Sequence, residues 1–249
     1  MMQLDQTYGT KWVDTFNEDE KSSEWLRVLL CRDGLFLPSD QNDPCEIMAT
    51  IDNETSSMPF LKAIGTFGLK RTTHVHCQDE DCGATYIRDV VHRNYITVKK
   101  VTGVNSTLQQ LVDNPEGHEE LFHCSNCQKM SAKHNIVFSE LHEDIIVAVE
   151  VNENGTGLII PSVKLELPKG VYYELKSVVE RVGPNHYVSY LYTQEMKSWI
   201  VIDDLKEPQH QMKFIKSGPM YGRLFFLQKC LHHYEPEGIY IYIMIFHMI

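Results

Sequence analysis

The chain has 249 residues, enough for one large domain or two modest ones, and its 43% hydrophobic and 23% charged residues are ordinary for a soluble globular protein. A formal charge of −11 argues against nucleic acid as the main partner, because phosphate binding needs a basic face. An acidic surface suits a basic protein partner, or solubility alone.

No basic segment followed by an apolar core opens the chain, so a secretory signal is not predicted. The expected compartment is then reducing, cytoplasmic or nuclear, and the seven cysteines read as thiols or metal ligands rather than disulfides. The triplets at Asn53, Asn105 and Asn154 match the glycosylation pattern but carry no meaning there. No internal repeat and no low-complexity linker interrupts the chain.

Asp19 to Cys31 reads as a short helix with Trp25, Val28 and Leu29 on one side and Gly34 just past its end. A second helix is predicted from Asp43, with Asp43 as N-cap, Pro44 in the first turn, Glu46 at the reciprocal capping-box position and Ile47, Met48 and Ile51 on the apolar face. From about Phe60 the pattern shifts to strands. TYIRDVV, NYITVKKV, NIVFSEL and EDIIVAVEV are β-branched runs bounded by Gly, Asn and Asp. Ser106 or Thr107 caps one short helix through Leu111, and strands follow at VKLEL, YYELKSVVERV, HYVSYLY, SWIVIDD and RLFFLQK. Helices first and a mostly antiparallel sheet after them predict an α+β fold. The final run IYIYIMIFHMI is about half the roughly twenty residues a membrane span needs; packing on the sheet or aggregation are its two expected fates.

Cys77 and Cys82 form C-x4-C, and Cys124 and Cys127 form C-x2-C about forty residues later, each pair at a predicted strand-to-strand turn. Four thiolates brought together this way match a closed, structural zinc site, with two chance pairs of buried cysteines as the alternative. His74, His76 and His123 lie near enough in sequence to replace a missing cysteine ligand. Such a site holds sheet together and does no chemistry.

In NHYVSYLYTQEMKSWIVIDD, His186, Val188, Tyr190 and Tyr192 share one face of a strand, and Trp199, Val201 and Asp203 share one face of the next. A loop through Gln194, Glu195 and Met196 has hairpin length. Folding there sets His186 opposite or diagonal to Asp203, at a separation side chains can bridge. A histidine oriented by a carboxylate is two thirds of a catalytic triad.

With these pieces placed, the chain resembles the ubiquitin-specific protease family of cysteine deubiquitinases, which have a papain-like fold. QNDPCEIM at Gln41 to Met48 is similar to the family's Gln-Gln-Asp box on a thumb helix, and the cysteine pairs resemble its zinc ribbon. The segment from Tyr172 resembles its histidine box, SWIVIDD the segment carrying the third catalytic residue, and RLFFLQK the closing strand. The resemblance spans about residues 25 to 229. It implies one domain over 1–229, with a thumb remnant at 1–58, fingers and palm at 59–229 and a zinc ribbon within 74–130, followed by a divergent apolar tail at 230–249. It also implies that His186 is the general base, Asp203 its orienting partner and Asp204 a neighbouring polar residue of the site. Asp43 and Glu46 match thumb carboxylates that bind arginines of ubiquitin's C-terminal tail, a role that can coexist with helix capping.

The resemblance breaks at the nucleophile. The family's Asn-x-x-x-x-Cys box lies some seventy residues before the Gln-Gln-Asp box, and nothing in the forty residues before Gln41 matches it. Cys31, Cys45 and Cys230 are poor substitutes, Cys45 because its position in the family does not face the histidine. Arg181 stands where the family has a histidine, and Pro184-Asn185 where it has a glycine. The expectation is an N-terminally truncated deubiquitinase-type domain that lacks the segment carrying the catalytic-cysteine box and is inactive as this chain. The alternatives are a pseudoprotease that binds ubiquitin, or another protein, without catalysis and a zinc-ribbon interaction scaffold. Neither nucleic acid nor a membrane is an expected partner.

Overall fold

In this computed structural model the described residues are 45, 69–100, 105–116, 121–150, 158–167, 170–183, 186–193, 197–203, 206–211 and 220–230. The helices expected at 19–31 and from Asp43 lie outside them except for Cys45, which is helical, and so does the apolar run 239–249.

Two sheets dominate. The smaller contains β1 (Leu69–Cys77), β2 (Thr85–Arg93), β5 (Phe122–His123) and β6 (Met130–Ser139) in the order β2-β1-β6-β5, all antiparallel. The larger contains β3 (Ile96–Lys99), β7 (Asp144–Glu150), β9 (Lys164–Leu167), β10 (Val171–Arg181), β11 (Tyr187–Thr193), β12 (Ser198–Asp203), β13 (Lys206–Gln211) and β14 (Gly222–Lys229). Its order is β13-β12-β11-β10-β14-β7-β3, with β9 on the start of β10, and only the β3–β7 pair is parallel. Two short strands, β4 (Ser106–Thr107) and β8 (Ile159–Ile160), pair in parallel. The chain passes from β2 to β3 and from β6 to β7, so two successive-strand connections tie the sheets together.

The large sheet is buried on both faces, which is why β7 reads as an unbroken apolar run rather than an alternating one. One face carries Val147, Tyr173, Val178, Val188, Tyr190, Trp199 and Phe225, covered in part by Leu108, Leu111 and Val112 of the helix α1 (Leu108–Asp113). The other carries Ile146, Val179, Leu191, Leu224 and Phe226, with Cys45 and Tyr187 packed on it. α1 is capped by Thr107, whose hydroxyl accepts from the Gln110 amide while the Gln110 side chain accepts from the Thr107 amide. That capping box selects Thr107 over Ser106 and carries the helix to Asp113, two residues past the expected end.

One irregularity of β10 and one glycine of β14 lie beside the site. Lys176 is an extra residue between Leu175 and Ser177 in the β14 register, so side-chain parity reverses beyond it. Across from Glu180, Gly222 leaves room for an aromatic ring: a Cβ there would lie 2.3 Å from Cζ of Phe225.

Candidate functional site

At the tip of the small sheet, Cys77 ends β1, Cys82 sits in the turn before β2, and Cys124 and Cys127 sit in the turn between β5 and β6. The turns are held by backbone bonds from Cys77 N to Ala84 O (2.8 Å) and from Gln128 N to Cys124 O (2.8 Å), with Gly83 and Gln128 both at positive φ. All four sulfurs fall within 4.8 Å of one another, with Cys77–Cys127 at 3.8 Å and Cys82–Cys124 at 3.9 Å. A tetrahedron with metal–sulfur bonds of about 2.3 Å has edges of about 3.8 Å, so this donor set fits a zinc ion. Around it, Asn126 donates to the Cys82 sulfur (3.3 Å) and holds that thiol down to about 7, while the backbone amide of Cys127 lowers Cys124. The Ser131 hydroxyl favours the Cys77 thiolate, but burial and its neighbouring thiols push Cys77 up to about 11. A bound cation would draw all four to the thiolate. The histidines considered as substitutes are engaged elsewhere or unneeded: His76 Nδ1 meets Thr85 Oγ1 at 3.0 Å and His123 Nδ1 the Gln128 carbonyl at 3.1 Å, and four cysteines complete the set without His74.

The second site lies at one end of the large sheet. Ser189 pairs with Ile202 and Tyr190 with Val201, which places Asp203 beside Val188 and diagonal to His186 on the same face. The His186 Nε2 reaches the Asp203 Oδ1 at 2.9 Å, with side-chain exposures of 26% and 9%. With Nε2–H donated to the carboxylate, the ring's orientation is fixed and proton exchange with a reacting partner passes through Nδ1. The geometry is that of an imidazole oriented by a carboxylate.

The described thiols lie elsewhere. Cys45 packs in the apolar cluster on the opposite face of the sheet, and its sulfur donates to the carbonyls of Val149 (3.6 Å) and Arg223 (3.7 Å). The Cys230 amide bonds Tyr172 O, whereas the His186 carbonyl bonds Val182 N. Ten residues of β10 at about 3.3 Å each separate those ends by about 30 Å. Arg181 is exposed at the end of β10, its amide on Tyr221 O. Asp204, Asp43, Glu46 and Asn185 lie outside the described residues.

One residue of this face escaped the sequence reading. Glu180, 2% exposed, pairs across the ladder with Val188, and its Oε2 accepts from the Tyr190 hydroxyl at 2.8 Å. Burial, then the charge and hydrogen bond of Glu180, then the charge of Asp203 hold the Tyr190 phenol above its ordinary range.

No known family matches the chain by sequence, and no curated protein does. The likeness is in three dimensions: the fold is of the ubiquitin-specific protease kind. One solved structure that shares it is a SAGA DUB module of Ubp8, Sgf11, Sus1 and Sgf73 bound to monoubiquitin, with TM-score 0.52 and 15% identity over 66% of this chain and 41% of that one. A second, a yeast SAGA DUB module, gives TM-score 0.50 and 16% identity over the same shares, 66% and 41%. The matched part thus spans about two fifths of those chains, and at these identities the likeness is one of fold.

Proposed function

We infer that this chain is the palm and fingers of a ubiquitin-specific protease-type domain, a deubiquitinase hand that engages ubiquitin and keeps an oriented base with no thiol beside it among the described residues. The observation that carries the reading is the His186–Asp203 contact at 2.9 Å, on a fold shared with a DUB module bound to monoubiquitin. A fingertip whose four sulfurs fit structural zinc supports the same reading. In an intact enzyme of this kind a thiolate attacks the isopeptide carbonyl after ubiquitin's last glycine. There Nδ1 of His186 takes the thiol proton and returns it to the leaving lysine amine, while Asp203 stabilises the imidazolium. Asp204 is a further polar group of that centre, and Asp43 and Glu46 bind arginines of the ubiquitin tail by charge-assisted bonds. The fold shared with a DUB module bound to monoubiquitin supports ubiquitin as the partner. The sequence given holds no match to the family's cysteine box, which supports binding without hydrolysis by the chain as given, with the cytoplasm or nucleus as its proposed compartment.

The reading is favoured over an unrelated zinc-ribbon scaffold because such a scaffold has no use for a buried carboxylate holding an imidazole. Calorimetric titration with ubiquitin tests it. Saturable binding is expected, weakened at least tenfold by Asp43→Arg, which turns an arginine-binding carboxylate into a repelling charge. No binding at a few hundred micromolar would sink the reading; binding unchanged by Asp43→Arg would remove the thumb assignment alone.

A further inference from the structure

On the small sheet lies an open cavity of about 480 Å³, within the roughly 300–1,000 Å³ of small-molecule pockets. β2 gives it Tyr86, Ile87 and Arg88, β6 gives His134, and Phe122 and Ser125 enter from β5 and the turn after it. No carboxylate lines it among the described residues, although the chain as a whole carries −11. Its polar groups can all donate. Arg88 is largely exposed, and among the described residues the one acid at ion-pair distance is Asp89, 3.9 Å from its Nε. Asp89 in turn accepts from Thr73 at 2.9 Å. Nη1 of Arg88 lies 3.5 Å from Nε2 of His134. The Tyr86 hydroxyl accepts from the Ser125 amide at 3.0 Å, which leaves its own O–H to donate, and the Ser125 hydroxyl is a further donor. Ile87 and Phe122, whose ring stacks on His134 at 3.8 Å, supply apolar wall.

We propose that this cavity binds a phosphate monoester carried on an apolar group, with Arg88 and His134 on the phosphate and the Tyr86 and Ser125 hydroxyls completing its hydrogen bonds. A guanidinium grips phosphate through two parallel N–H bonds. Four donor groups suit the three terminal oxygens of a phosphate better than the two of a carboxylate. Ile87 and Phe122 meet the group that carries it. Burial, then the Arg88 charge, hold the His134 imidazole below its ordinary range, with Glu116 and Asp89 opposing and Arg71 adding to Arg88. The ring is therefore neutral at about pH 7 and accepts from Arg88. A phosphate dianion beside it reverses the balance, so the ring takes up a proton and becomes a donor. Ester binding and protonation of His134 are thus linked. The site is separate from the His186–Asp203 pair and stands apart from the ubiquitin reading.

Phenyl phosphate titrated into the full chain, purified without chelators and held at one neutral pH, tests it. Calorimetry gives the affinity, and long-range ¹H–¹⁵N spectra of the histidine rings, with His134→Gln assigning the His134 signals, give the protonation. Saturable binding is expected, with the His134 signals moving toward the imidazolium pattern. Inorganic phosphate should bind more weakly for want of the apolar group, and benzoate for want of the third oxygen. Arg88→Gln should weaken phenyl phosphate by about tenfold or more, the size of one lost charge-assisted contact. Lys164→Gln removes the same charge from β9 of the large sheet and should leave the affinity unchanged. No saturable binding at a few millimolar overturns the proposal, as do benzoate binding as tightly as phenyl phosphate, equal losses in Lys164→Gln and Arg88→Gln, or His134 signals that stay neutral at saturation. Phosphotyrosine blocked as its N-acetyl amide separates two sources of the ester. Tighter binding than phenyl phosphate places it on a partner chain, equal or weaker binding on a free small molecule, and either supports the site. None of these readouts uses ubiquitin or hydrolysis.

Discussion

Stripping the metal from the cysteine cluster should melt the tip of the small sheet and spare the large one. The tip has almost no core of its own: Val75 and Ala132 are buried beside Cys77 and Cys124, with Tyr86 and Phe122 only partly covered. Burial of that size contributes about 5 kcal/mol. Fixing the two turns at 78–83 and 124–129 costs about 1–2 kcal/mol per residue, on the order of 12–24 kcal/mol. A four-thiolate zinc ion supplies about 10–16 kcal/mol, which closes the gap. Hydrogen exchange before and after chelation reads the result. The amides of Cys77, Gln78, Cys124 and Gln128, all bonded within or across the turns, should lose protection, while those of β10 and β14 keep theirs. Metal analysis should give one zinc per chain, and Cys127→Ser should mimic chelation. Full protection of those four amides in metal-free protein would refute the reasoning, and so would collapse of β10 and β14 together with the tip.

Two further perturbations test the packing and charge around the site. Gly222→Ala places a Cβ 2.3 Å from the Phe225 ring, so stability to urea should fall by about 1–3 kcal/mol, and Phe225→Leu in the same chain should recover part of the loss. Burial would raise the Glu116 carboxyl, but Lys99 at 2.9 Å and Arg71 at 2.7 Å hold it below the ordinary range. A depressed folded-state value means that its contribution is present above the ordinary carboxylate pKa of about 4.3 and is lost as pH falls through the folded value. Urea midpoints should therefore drop less between pH 7 and pH 3 in Glu116→Gln than in the parent; an equal drop would contradict the assignment.

Local chemistry made parts of this structure readable in advance. The cysteine pairs were legible because two sulfurs must converge within a few residues, and the four meet as their spacing suggests. The His186–Asp203 diagonal followed from period-two alternation about a short loop, since Thr193 pairs with Ser198 and the register is then fixed. Glu180 was not legible. Counted from Tyr173 and Leu175 it falls on the face away from them, and only the extra residue at Lys176 turns it to their side. A bulge changes parity without leaving a mark in composition. β1 was implied by the turn at Cys77 but its span was not named, because LKRTTHVHC is polar and basic; it is a strand because β2 and β6 pair with both its edges. β13, with Pro208 inside it, lacks the apolar alternation that would announce it and forms as an edge on β12.

The most direct test uses ubiquitin carrying a fluorophore in amide linkage at its C-terminal glycine, mixed with the full chain and followed in one cuvette. Anisotropy should rise with added chain, and the dye should stay attached for as long as the blank does. Release of dye above the blank would contradict the inactive-hand account, because it would require a thiol within reach of His186; an anisotropy that never rises would contradict the ubiquitin-binding account itself.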